Sequence, residues 1–93
     1  VSKPAHFIFR LYVAGDGPHS VLAIANLDAL CREQLPERHQ IEVVDVFREP
    51  HRALADGVVL TPLLMRLSPT PIRKLIGTLS QRDAVVRALD LTL

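Results

Sequence analysis

Apolar and polar positions change period along the chain, and each change marks an element. In residues 7–14, Phe7, Phe9, Leu11 and Val13 fall on one side and Ile8, Arg10 and Tyr12 on the other. Both sides are largely apolar, which predicts a central strand covered on both faces. Gly15-Asp16-Gly17 then turns the chain, and Pro18 suits the first turn of a helix, where a missing N–H costs nothing. Over residues 20–35 the period becomes helical: Val21, Ile24, Leu27, Cys31 and Leu35 form one stripe, with Arg32 and Glu33 opposite. Pro36 ends it. Residues 40–47 alternate again, Ile41, Val43, Asp45 and Phe47 against Glu42, Val44 and Val46, so strand, helix and strand predict a parallel βαβ unit. Glu42 suits an exposed edge, where charge discourages aggregation. Residues 51–56 predict a short helix closed by Gly57.

Residues 58–77 hold three of the seven prolines and much of the basic charge of the second half. An apolar strand is expected over residues 63–67 and a turn at Ser68-Pro69-Thr70-Pro71, since two prolines do not both fit a ladder. A returning antiparallel strand follows over residues 72–76. Ser80-x-x-Asp83 resembles a capping box with Leu79 as a staple. It would open a helix over residues 84–91 that turns Val85, Val86 and Leu89 to the core. The order βαβαββα, one α/β domain over residues 1–93 around a four-stranded mixed sheet, is thioredoxin-like. That architecture places a cis-proline at the start of its third strand, which is where Pro62 stands.

Composition narrows the chemistry. Apolar residues make up 48% of the chain with no tryptophan and one tyrosine, so the core is aliphatic. A formal charge of +1 lacks the basic footprint of a nucleic-acid binder. One cysteine provides neither a disulfide framework nor a paired-cysteine zinc site, and a free thiol fits a reducing cytoplasm. No apolar run approaches the ~18 residues of a membrane span. The start VSKPAHF lacks the pattern of a signal peptide, so a cytoplasmic protein is expected.

A thioredoxin-like redox enzyme needs its nucleophilic cysteine at the first strand-to-helix turn, where the helix N-terminus lowers the thiol pKa. Here that turn is Gly15-Asp16-Gly17-Pro18-His19-Ser20, and Cys31 lies about three turns further down the helix. Dithiol exchange is excluded. The same turn lacks the Gly-Lys-Ser/Thr ending of a nucleotide loop, and Asp16 would repel phosphate. His6, His19, His39 and His51 sit in four separate segments without ligand spacing. No catalytic, cofactor or metal residue is therefore assigned. What remains is a run of cations on the expected hairpin, Arg66, Arg73 and Lys74, followed by Arg82 and Arg87. It suits electrostatic docking of a protein partner better than nucleic acid, since aromatic stacking residues are missing there.

Four segments, LYVAGDGPHSV, IEVVDVFREP, LTPLLMRLSPTPIRKLIG and LSQRDAVVRALDL, occur in the order and at the spacing of the KaiB family of clock proteins, and the chain resembles that family from about residue 9 to residue 91. The resemblance implies a non-enzymatic adaptor without cofactor that docks on a KaiC-type ATPase. Family members also sequester KaiA and compete with the KaiB-like sensor domain of a histidine kinase. It further implies two folds: a thioredoxin-like, binding-competent monomer, and a ground-state βαββααβ arrangement, usually tetrameric, in which the second half is rebuilt. Consistent with that, Val85, Leu89, Leu91 and Leu93 also fit a period of two, broken only by Arg87.

Ala88 stands where the clock proteins usually carry glycine. Alanine favours helix over glycine by ~1 kcal/mol, so the thioredoxin-like state is expected to be favoured; Asp90 matches the family, and Ala88 and Asp90 are assigned to control of the fold. Leu22, Glu42 and Gly57 replace family basic residues, which sets KaiC-type docking through Arg66, Arg73 and Lys74 apart from KaiA capture, which is not expected. Two further readings are a stress-linked or chaperone-like paralogue and a sensor module detached from its kinase. Neither a nucleic-acid nor a membrane partner is expected.

Overall fold

Strand β1 (Phe7–Val13) is the axis of the sheet, and it is central because both its faces are apolar enough to be covered. The structure, a computed structural model, describes residues 5–91. Leu93 and the first four residues lie outside that range. β1 is followed by helix α1 (Pro18–Gln34), β2 (His39–Asp45), α2 (Pro50–Ala55), β3 (Leu63–Ser68), β4 (Arg73–Ile76) and α3 (Arg82–Ala88). The sheet order is β2-β1-β3-β4, with β1 and β2 parallel and both other pairings antiparallel. This is the thioredoxin-like βαβαββα arrangement, not the βαββααβ alternative.

Strand parity divides the interior in two. Phe7, Phe9, Leu11 and Val13 of β1 join Leu64 of β3 under α1 and α3, packed on Leu27, Cys31, Leu35, Val85, Leu89 and Leu91. On the opposite face Tyr12, Val44, Leu63 and Met65 pack against Ala53 of α2. Burial of these side chains, at ~1.5–3 kcal/mol for each large one, is the main stabilising term of a chain this short.

Several details depart from the sequence expectations. Helix α1 begins at Pro18, with Gly17 as its N-cap, so the proline occupies N1. Its buried face is Ser20, Ala23, Leu27, Leu30 and Cys31, whereas Val21 and Ile24 are 56% and 38% exposed. The stripe is rotated because the sheet ends at β2. Beyond that edge no described residue covers Val21 and Ile24, which line an open groove with Ile41 and Val43. Strand β2 stops at Asp45, whose carboxylate accepts the Phe47 N–H at 2.9 Å and folds the chain back; Phe47 is left exposed. The capping box does not form. Helix α3 starts at Arg82 with no side-chain cap on its N-terminus, and the Ser80 hydroxyl is engaged with Thr78 and Asn26 instead. The helix also ends at Ala88. Leu89 and Leu91 are buried beyond it, and Asp90 between them adopts φ 54°, which turns the backbone.

Candidate functional site

The C-terminal end of β1 brings two loops together. The register Tyr12↔Leu63 sets Pro62 beside the point where β1 runs into the Gly15–Gly17 turn. The Thr61–Pro62 peptide is cis, as are Ser68–Pro69 and Thr70–Pro71. The turn is fixed by Asp45: its Oδ1 accepts the Gly15 N–H at 3.1 Å as well as that of Phe47, and these two amides, Phe47 first, hold the carboxyl below the usual carboxylate range. Gly15 itself has φ 66°, a conformation that glycine adopts without strain.

No cysteine lies in either loop. Cys31 is fully buried in α1, and burial, with Asp28 nearby, pushes its thiol up to about 12. It is a small core hydrophobe rather than a thiolate. Among the described residues no cluster of His, Cys, Asp or Glu could hold a metal ion, and no helix is long and apolar enough to cross a membrane.

The three docking cations do not share one surface. Arg66 is 2% exposed, because it follows Leu64 by two on β3 and so points under α3. Its Nη1 donates to the Leu89 carbonyl at 2.6 Å and its Nη2 to the Pro71 carbonyl at 2.8 Å, while Asp90 lies 3.5 Å from Nη1. Nε is buried without a partner among the described residues. Arg66 is thus a clamp between β3, the proline turn and the end of α3, and it is removed from the surface patch expected of it.

Arg73, opposite Arg66 on β4, is half exposed and reaches the same Asp90 carboxylate at 3.4 Å. Lys74 projects from the other face of β4 and donates to the Asp56 carbonyl at 3.2 Å. The exposed positive charge of the hairpin therefore straddles one strand at the sheet edge. Of the two residues assigned to fold control, Ala88 is the exposed last residue of α3, and Asp90 is the carboxylate shared by both arginines.

Two features were not read from the sequence. The first is a polar network on the α2 face. Arg10 pairs with Glu42 at 2.9 Å and Asp56 at 3.0 Å, Arg52 pairs with Glu42 at 2.7 Å, and the Tyr12 hydroxyl lies 2.5 Å from the Asp56 carboxylate. Arg52 and Arg10 hold the Glu42 carboxyl down to about 2. The Tyr12 hydroxyl and then Arg10 lower that of Asp56, and burial raises the Tyr12 phenol. Glu42 is on the edge strand and exposed as expected, but its carboxylate is already paired with Arg10 and Arg52 of the same chain. The second feature is an apolar surface beside Lys74. Val59, Leu60 and Ile76 are 87%, 59% and 54% exposed and border one shallow hollow with Leu63 and Gly57. Its signal was the run Val58-Val59-Leu60, apolar residues in a loop between Gly57 and Pro62 with no partner period.

The KaiB domain model matches residues 10–91. The chain belongs to the KaiB family. Among curated KaiB relatives, the circadian clock oscillator protein KaiB of Microcystis aeruginosa is 39% identical over 85 residues, covering 91% of this chain and 82% of that protein. Among solved structures, the N-terminal domain of SasA from Synechococcus elongatus superposes with a TM-score of 0.75 at 16% identity, over 99% of this chain and 90% of that one. The germline-specific thioredoxin Deadhead of Drosophila melanogaster gives 0.73 at 12% identity, over 94% and 82%. These two likenesses place the KaiB chain in the thioredoxin-like fold. Its first turn carries glycine, aspartate, proline and histidine but no cysteine.

Proposed function

We propose that this KaiB-family protein is a non-enzymatic clock or signalling adaptor that docks on a KaiC-type ATPase while in the thioredoxin-like arrangement. The observation that carries the reading is the family match over residues 10–91, on a chain whose thioredoxin-like loop face has no thiol. Support comes from the sheet edge at β4, which presents Arg73 and Lys74 beside the exposed Val59, Leu60 and Ile76. Cations next to an apolar surface suit a protein partner, the charge speeding encounter and the apolar area stabilising the complex.

KaiA capture is not part of the proposal, since Glu42 gives the β2 edge a carboxylate already bound to Arg10 and Arg52. The adaptor acts as a monomer in this arrangement and within the cytoplasm, and Ala88 with Asp90 biases it against a ground-state fold. The test is a pulldown of the KaiC-type ATPase from the same cells by the purified chain, in ATP and in ADP. Retention of the ATPase in either state agrees with the proposal, and its absence from both favours a stress-linked or chaperone-like paralogue.

A further inference from the structure

We propose that the free edge of β4 takes an extended segment of a partner protein as a fifth strand. An apolar side chain of that segment seats in the hollow beside Ile76, and an acidic one lies against Lys74. The inference rests on the docking reading above and gives it a mode of contact and a partner chemistry.

The backbone carries the first part. β4 is terminal in the sheet, so one side of it has no neighbouring strand among the described residues. The Gly77 N–H donates to the Pro62 carbonyl at 2.9 Å, which makes residues 62 and 77 a hydrogen-bonded pair. In an antiparallel ladder such pairs recur every second residue, so Leu64↔Leu75 and Arg66↔Arg73 are also bonded pairs. The N–H and C=O groups of Lys74 and Ile76 therefore point away from β3 into the open edge. An open edge with outward donors and acceptors is a template for a strand, and main-chain pairing of this kind is a recurring way to hold an extended peptide.

Side chains specify the occupant. By the same alternation Lys74 and Ile76 stand on the α2 face, next to Leu63. With Val59, Leu60 and Gly57 they enclose a hollow of about 250 Å³, room for one large apolar side chain. The charge at this edge is positive. The Lys74 ammonium is held only by the Asp56 carbonyl and makes no ion pair among the described residues, while Arg73 shares Asp90 with Arg66. The other edge, β2, differs: Glu42 there is matched by two arginines of the same chain. A segment with an apolar and an acidic residue two apart, and so on one face, thus finds an apolar seat and complementary charge at β4, and a basic one is repelled.

The test uses the whole chain, isotope-labelled, with a ten-residue peptide of repeating glutamate-threonine-valine-threonine as probe, which sets glutamate and valine two apart on one face, and its lysine-for-glutamate counterpart as control. Expected is saturable binding of the acidic peptide alone, with the Lys74 and Ile76 amides gaining protection from exchange and Val59 and Leu60 shifting. Ile76→Pro removes one outward N–H while leaving the bonds of Leu75 and Gly77 to β3, and should weaken binding at least tenfold. If that variant does not fold, Leu60→Asp, which puts a repelling charge at the hollow from an exposed loop, should do the same. Failure of the acidic peptide to bind, equal binding of the basic one, protection at β2 instead, or unchanged affinity in a folded variant overturns the proposal. If the ATPase is still captured by a chain that fails these tests, the docking reading stands and strand addition falls. If strand addition is seen but the ATPase is never captured, the reverse holds.

Discussion

Replacing Arg66 by methionine keeps an unbranched apolar stem in place but removes the guanidinium that joins β3 to the proline turn and to the end of α3. Two hydrogen bonds from a charged donor are lost, to Leu89 at 2.6 Å and Pro71 at 2.8 Å. Bonds of this kind contribute ~1.5–3 kcal/mol each, and their loss leaves two carbonyls without that donor. Those figures are already net of desolvating the bonded N–H groups, so what stands against them is the buried, unpartnered Nε, at about 1–3 kcal/mol. The ion pair does little to offset it, since Asp90 is 61% exposed and water screens it.

The net expectation is a loss of about 2–3 kcal/mol, a large share of the ~5–15 kcal/mol that holds a small domain together. At ~4–8 °C per kcal/mol for a chain of this length, the Tm should fall by roughly 10–20 °C. Urea unfolding followed by circular dichroism measures it, and amide exchange localises it, with the Leu89, Asp90 and Leu91 amides losing protection first. Arg66→Lys should fall between, because one ammonium does not span both carbonyls in the guanidinium's fork. Asp90→Asn should cost less than ~1 kcal/mol. A methionine variant as stable as the wild type refutes the clamp, and an Asp90→Asn variant as damaged as Arg66→Met shows that the ion pair, not the carbonyls, holds α3.

Three further outcomes follow from the geometry. The Glu42 carboxyl is lowered from 4.5 to about 2 by Arg52 and Arg10, so its contribution to stability is present above its unfolded value and lost as pH falls from about 4.5 toward 2. With 47% of the side chain exposed the effect is small, below ~1 kcal/mol. The stability difference between wild type and Glu42→Gln should shrink across that window, and a constant difference counts against the network. Cys31, buried and with its thiol pushed up to about 12, should react with a thiol reagent at pH 8 only as fast as the chain unfolds; rapid native labelling contradicts its place in the core. Ala88→Gly, at the exposed end of α3, should weaken that helix by up to ~1 kcal/mol and move the secondary chemical shifts of residues 84–90 away from helical values. Unchanged shifts would remove Ala88 from control of the fold.

The path of the chain was legible because strand parity and helical period are written in single residues. Phe7, Phe9, Leu11 and Val13 name one face of β1 without ambiguity, and the prolines bracket β3 and mark the turn before β4. Arg66 was misjudged by its company: beside Arg73 and Lys74 it reads as surface charge. The contrary signal was its place in Leu63-Leu64-Met65-Arg66-Leu67, a strand apolar on both faces, where an arginine must be buried and must find acceptors. Those acceptors, the Leu89 and Pro71 carbonyls, are main-chain atoms 23 and 5 residues away, and no side-chain pattern announces them. Val21 and Ile24 were misplaced for a related reason. Helical period gives an apolar stripe but not how far the sheet beneath extends, and α1 overhangs its edge. The hollow at β4 lay in an aperiodic loop, where apolar residues look like noise until the fold sets Ile76 beside them.

The central claim, docking through the β4 edge, is tested most directly by the affinity of the chain for its KaiC-type ATPase, measured for the wild type and for Arg73→Glu/Lys74→Glu. Both side chains lie at the surface, and each forgoes only one weak contact, so the double variant should keep the wild-type fold. The account predicts at least a tenfold weaker complex, about 1.4 kcal/mol or more, mostly through slower association that converges with the wild type as salt rises. A folded double variant that binds as tightly as the wild type at every salt concentration would contradict it.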